Sequence, residues 1–454
     1  MLVFVPLAEF IMCRFALMCW SLLAMVSSTL AHDNWPEFRG GPWANVRDDA
    51  NLPSTWTRER NVAWATTIPG HGWSSPVLWG KQVFLTTVTT TAKQDEPKKG
   101  LYFGGERVQA PAEPHQWIVL SVDADTGKIR WQTQVHEGQP AHGKHIKNTY
   151  ASETPVTDGQ HLYVWLGEVG VFCLDLEGKI IWQHKWPSLP TKNSWGYGAS
   201  PVLHKDRLFI VNDNEKDSYI VALDKHTGRE LWRRSRPEKS NWSTPYVWEN
   251  SLRTEIVTAG SGGVRSYDLD GELLWEFKGM SAVTVPSSFA RDGLLYVSSG
   301  FVMDKKRPVY AIKPGAKGDI SLKEGQTSND YIAWCQPQGA AYHPTPLIYQ
   351  GLCYVLYDQG FLACYDAKTG AEVYGRQRIN PKGSAQFTAS PWAADGKIFC
   401  LSEDGDTFVI QAGREFKLLG VNPVEEMALA TPALTKDRLY LRTKTQLLCI
   451  QKTD

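Results

Sequence analysis

Asp123-Ala-Asp-Thr126-Gly127-Lys-Ile-Arg-Trp131 decides the fold, because it returns. It comes back as Asp175-Leu-Glu-Gly178-Lys-Ile-Ile-Trp182, as Asp224-Lys-His-Thr227-Gly228-Arg-Glu-Leu-Trp232 and as Asp268-Leu-Asp-Gly271-Glu-Leu-Leu-Trp275. A phrase that recurs every few tens of residues marks stacked copies of one small unit. Its Asp accepts from backbone amides ahead of it, and its Gly takes the positive φ of a tight hairpin. These residues are therefore read as structural.

A second marker keeps step with the first. A small residue followed by Pro opens each unit: Ser75-Pro76, Thr154-Pro155, Ser200-Pro201, Thr244-Pro245, Val285-Pro286, Thr345-Pro346, Ser390-Pro391 and Thr431-Pro432. Most units span the roughly 40 to 50 residues of a four-stranded propeller blade. The two long gaps, Pro76 to Pro155 and Pro286 to Pro346, hold insertions. Inside a unit, short apolar or alternating runs such as Arg207-Leu-Phe-Ile-Val211 and Tyr219-Ile-Val-Ala-Leu223 read as strands.

The aromatic at the end of the phrase counts to eight with substitutes: Trp64, Trp131, Trp182, Trp232, Trp275, Trp334, Tyr374 and Phe416. Trp64 precedes the first unit, while the last unit ends at Cys449-Ile450 without an outer strand of its own. Pairing a strand at about 61–67 with the C-terminal blade would close the ring and protect its edges. The expectation is an all-β, eight-bladed propeller of four-stranded antiparallel blades, spanning 61–454 after an extension at 32–60. A single closed array accounts for a chain of this length without a second globular domain.

Residues 1–31 read as an export signal, with Met12 as the start, Arg14 before an apolar run and cleavage after Ala31. The run is shorter than the roughly 20 residues that span a bilayer, so no transmembrane helix is expected in the mature chain. Location is read as periplasmic or extracellular. Cys19 follows Ala16-Leu-Met18, which departs from a lipidation motif. Lys plus Arg equals Asp plus Glu at 48 each, so no global field favours nucleic acid. Of the six mature cysteines, Cys173, Cys364 and Cys449 share the small third-strand site that is Ser121, Ala222, Ser266 and Ala311 in other blades. They are read as packed thiols.

The Ser/Thr-Pro openings, the Ala-Leu-Asp-like third strands and the Thr-Gly-x-x-x-Trp endings resemble the PQQ-like repeat of the quinoprotein dehydrogenase-like superfamily, including its BamB-like, non-catalytic branch. At Trp35-Pro-Glu-Phe-Arg39-Gly, Gly72-Trp-Ser-Ser-Pro76, Lys147-Asn-Thr-Tyr150-Ala-Ser-Glu-Thr-Pro155 and Asn241-Trp-Ser-Thr-Pro245, the chain is more similar to secreted planctomycete-type PQQ-like propellers. The resemblance implies a protein or peptide partner in the cell envelope if the chain is a scaffold. It implies PQQ with calcium if the chain is an oxidoreductase. Calcium needs several hard oxygen ligands at one point. Only Glu153 and Glu426 lie close to an opening, and no Cys-Cys pair exists. That parts list speaks against catalysis, and no catalytic or metal-binding residue is assigned.

In propellers, chemistry sits at the strand ends nearest the axis, here the residues before each Ser/Thr-Pro. They are rich in aromatics and amides: His71, Trp73, Asn148, Tyr150, Asn193, Trp195, Tyr197, Asn241, Trp242, Tyr342, His343 and Gln386. Convergent, they would form a polar, flat-walled mouth for a peptide side chain, a small planar ligand or a glycan. The competing reading is that the aromatics wedge blades together. A carbohydrate-binding or polysaccharide-acting propeller is the third functional class. His115, His142 and His145 could gather a metal if their loops fold together. The insertion at about 89–114 is read as a lid or contact arm over one face, or as disordered in part.

Overall fold

The computed structural model describes residues 33–93, 95–101 and 107–453, so the export signal expected at 1–31 lies outside the described residues. Eight four-stranded antiparallel blades surround one axis. Blade three is typical, its strands 202–204, 207–212, 219–224 and 230–235 running outward from the axis. The expected closure is present. Val62–Thr67 pairs antiparallel with Gln446–Gln451, Trp64 opposite Cys449, and completes blade eight as its outer strand. No helix among the described residues is long and apolar enough to cross a membrane.

The recurring phrase is the joint between blades. In blade one, Asp123 Oδ1 accepts from the amides of Asp125 and Thr126 and from Thr126 Oγ1, which holds the turn. The turn then receives the Trp of the preceding blade. Trp64 Nε1 donates to Ala124 O at 3.1 Å, and a Cβ added to Gly127 (φ 72°) would stand 2.6 Å from the Trp64 ring. Trp131, Trp182, Trp232 and Trp334 donate the same way to Leu176, Lys225, Leu269 and Ala367. Glycine is thus required both by the turn and by the indole lying on it. Beneath the aromatic sits the small third-strand residue: Trp182 lies opposite Cys173, Tyr374 opposite Cys364 and Trp64 opposite Cys449. All six described cysteines are buried and free.

Two register expectations need correction. In blade five, Phe289 pairs with Tyr296 as Tyr246 pairs with Val257 in blade four, which makes Ser287, not Val285, the equivalent of Thr244. The true opening is Ser287-Ser288, and Pro286 stands two residues early. In blade seven, Val409 pairs with Gly420, so Gly420 holds the dock position and Phe416 lies outside the outer strand, edge-on to Tyr374. Blade four also deviates. The insertion after Ile312 adds strand 318–319 parallel to 273–277, and fully buried Trp275 turns its N–H to Glu255 Oε2 instead of to a neighbouring turn.

The segment 33–60 packs on the blades rather than trailing from them. Trp35 bridges to Leu78, Thr157 N donates to Pro36 O, Arg39 Nη2 donates to Pro346 O, Asn45 Nδ2 donates to Pro391 O and Val46 runs beside Ala393. It therefore touches blades one, two, six and seven where their innermost strands begin their descent, and Phe38 reaches the axial cavity.

Candidate functional site

The axial cavity is built first by repetition. From blade one to blade seven, each opener sends its backbone amide to the hydroxyl of the opener in the next blade. Ser75 N donates to Thr154 Oγ1 (2.9 Å), Thr154 N to Ser200 Oγ (2.9 Å) and Ser200 N to Thr244 Oγ1 (3.0 Å). Thr244 N donates to Ser287 Oγ (3.2 Å), Ser287 N to Thr345 Oγ1 (3.0 Å), Thr345 N to Ser390 Oγ (3.1 Å) and Ser390 N to Thr431 Oγ1 (3.0 Å). This chain of links circles the axis, and all of its residues line a cavity of about 240 Å³. Only a short hydroxyl side chain reaches its neighbour's amide here without filling the channel, which explains the restriction to Ser and Thr.

Above the ring the wall is not repeated. Of the residues singled out from the sequence, Trp73, Asn148, Trp195, Tyr197, Trp242, Tyr342 and His343 line this cavity. Trp195 and Trp242 meet at 5.8 Å and 43°, packed with Val283, Phe301 and Tyr342. Trp242 Nε1 donates to Gly196 O and Trp73 Nε1 to Lys147 O, so each indole also ties one blade to the next. Asn148 Nδ2 donates to Trp195 O and Tyr197 O. Lining the cavity and wedging blades are thus done by the same side chains.

The other five lie elsewhere. His71 and Tyr150 line a separate cavity of about 20 Å³ with His115 and Lys144. Burial depresses both imidazoles and holds the Lys144 ammonium down to about 8. Asn241 is buried, donating to Lys239 O and accepting from Thr284 N, which joins blades four and five. Asn193 sits in the turn 192–194 with φ 53°. Gln386 gives its carbonyl to Glu403 N. The loop histidines do not assemble: His142 Nδ1 meets Ser188 Oγ, His145 meets the edge of Trp195, and among the described residues no group of three or more His, Cys, Asp or Glu is placed to hold a metal.

The sequence reading missed the charged parts of the mouth. Lys147 Nζ, almost buried, donates to Glu403 Oε1 at 2.7 Å, to Gly100 O at 2.9 Å and to Thr388 Oγ1 at 3.2 Å. Gly100 N donates back to Glu403 Oε2. Gly100 and Leu101 line the cavity, so this clasp holds the described end of the first insertion over the mouth. Ion pairs from Lys99 to Asp404 and from Glu96 to Lys444 add two tethers. On the opposite wall, Asp358 accepts from the amides of Tyr342 and His343 and meets His343 Nδ1 at 2.7 Å. A signal existed. Asp213, Asp358 and Glu403 each stand thirteen residues after their openers Ser200, Thr345 and Ser390, and each faces a cationic or imidazole partner: Arg236, His343 and Lys147.

These residues do not fit a calcium-assisted quinone. Glu403 and Asp358 are engaged by Lys147 and His343. Glu153, buried beneath Gly167 N, has its carboxyl pushed up to about 7 by burial. Glu426 braces Thr443 and Thr445. Among the described residues, no point gathers the hard oxygens that calcium requires.

Known proteins place the fold in context. A family model described as outer membrane protein assembly factor BamB matches residues 41–216, 114–277 and 167–316. No curated protein matches the chain. Among solved structures, BamB from Moraxella catarrhalis aligns with a TM-score of 0.52 and 12% identity, covering 81% of this chain and 99% of that one. Quinohemoprotein alcohol dehydrogenase from Comamonas testosteroni aligns with 0.59 and 11%, covering 94% and 82%. The computationally designed Ika8 protein aligns with 0.52 and 11%, covering 85% and 98%. Identities this low speak for the fold alone.

Proposed function

Because this chain belongs to the BamB family of PQQ-repeat propellers, we propose that it is an exported, non-catalytic binding propeller of the cell envelope, which captures a protein or peptide partner at the axial mouth. The observation that carries this reading is the pairing of the mouth's charges. Lys147 with Glu403 and His343 with Asp358 are locked across or along the wall, while Trp73, Trp195 and Trp242 provide flat apolar contact. Aromatic faces with a few fixed polar groups suit recognition. A general base or a metal-held nucleophile would instead need a group aimed at substrate.

The test places a photocrosslinking residue at Tyr342 in the mouth or at exposed Leu252 in the blade-four hairpin. A discrete envelope protein joined only from Tyr342, together with background dye-linked oxidation after PQQ and calcium are added, is the expected result. Oxidation that depends on both additions would establish the quinoprotein reading in its place, and a mouth that crosslinks nothing would end the partner reading.

A further inference from the structure

The hydroxyl ring does more than join blades. A hydroxyl has one proton and two lone pairs. From Thr154 round to Thr431, one lone pair of each opener accepts the preceding blade's amide. None of the ring protons is donated to a protein group among the described residues, although every ring residue is buried and lines the cavity. An O–H that accepts a hydrogen bond is polarised towards stronger donation, so a circle of strengthened donors surrounds one axis.

Two buried cations stand beside ring residues, while the one buried carboxyl next to the ring among the described residues, Glu153, has its pKa pushed up to about 7 by burial. Arg442 Nη1 donates only to Ser74 O and Oγ, beside Ser75, and Arg39 Nη2 only to Pro346 O, beside Thr345. Neither buried guanidinium has a carboxylate within ion-pair reach among the described residues, and Arg39 Nε has no partner. Glu37, two residues from Arg39, makes no ion pair with it. Burial holds both guanidiniums down to about 9, as expected of cations lacking a counter-charge.

From this geometry we infer that the ring is an oxyanion site: it receives one phosphate, sulfate or carboxylate group, of a free ion or of a peptide C-terminus, through hydroxyl donors on the axis. A cation would have to turn these protons outward, and it would sit near two buried guanidiniums that hold residues next to the ring and have no carboxylate partner among the described residues, one of them resting on the Phe289 ring, which the field opposes. The inference deepens the binding role proposed for the mouth and rests on that reading only for the peptide source.

Calorimetric titration of the full chain at constant ionic strength tests it with three probes: inorganic phosphate, a short peptide with a free C-terminus, and the same peptide amidated. Binding of phosphate, of the free-acid peptide, or of both, with none of the amide, is expected. Phosphate alone identifies a free ion as the source, and the free-acid peptide alone identifies a chain terminus. Ser75 is the informative position, because its hydroxyl accepts none of the inter-blade links. Ser75→Ala therefore removes a donor while the links remain, and should weaken binding by about tenfold. Thr345→Val should weaken it at least as much and Thr345→Ser should not, with melting temperatures confirming that each variant is folded. Failure of both anions to bind, unchanged affinity in Ser75→Ala and Thr345→Val, or binding of potassium instead would overturn the site. If anions fail while the Tyr342 crosslink persists, only the oxyanion site falls; if anions bind without a crosslink, only the partner reading falls.

Discussion

The rim and the axis of this propeller solve the same problem differently. At the rim, one apolar device is used again and again: an indole of one blade lies on the glycine of its neighbour's turn, as Trp334 lies on Gly370. Around the axis, hydroxyls repeat in a ring, but the wall above them is assembled from singular pairs such as Lys147–Glu403 and His343–Asp358. The joint keeps one geometry at five of the eight interfaces, whereas the wall is different in every blade and free to specialise. The proposed recognition accordingly belongs to the axis and stability to the rim.

Breaking the rim should cost most. Trp334→Ala removes a buried indole and its inter-blade bond, and is expected to destabilise by about 3–5 kcal/mol. Gly370→Val should approach this loss, because its Cβ would meet the Trp334 ring at 2.6 Å and φ is 73°. Chemical denaturation checks both, and a loss below about 1 kcal/mol for Trp334→Ala would remove the contrast between rim and axis.

At the mouth, Lys147→Met leaves Glu403 buried without its cation and should cost about 3 kcal/mol, while Lys147→Met with Glu403→Leu should recover most of that. The same denaturation series reads it. Full loss in the double variant would mean that the clasp on Gly100, rather than the buried charge, sets the cost.

The smallest effect concerns pH. Glu153 lies at the boundary between ring and wall, with its folded-state pKa raised from 4.5 to about 7 by burial. Its contribution to stability is thus present below pH 4.5 and lost as pH rises through 7. Glu153→Gln should gain about 1–3 kcal/mol relative to the parent between pH 4.5 and pH 8. Parallel pH dependence of the two proteins would place the carboxylate in a wetter setting.

Much of this was legible in the chain. Trp64 announced the closing strand because it carries the phrase's last residue without its beginning. Cys173 and Cys449 were recognisable as packing because they share the register of Ser121. Legibility failed where one blade departs from its siblings. Pro286 imitates an opener two residues early, and only strand pairing exposed Ser287. Phe416 imitates a dock that Gly420 has vacated. The candidate site was half visible. Aromatics before the openers were found by position, while Glu403 and Asp358 were hidden in loops after second strands, far from the motif being read.

The sequence by itself determined the blade, the count of blades and the way the ring closes, because local turns and repeated packing are encoded within a few tens of residues. Tertiary structure alone decided that Lys147 meets Glu403 across the mouth, that 33–60 packs where the inner strands descend, and that opener hydroxyls form a circle. Those relations join residues from different blades, and only closure of the ring brings them within hydrogen-bonding distance.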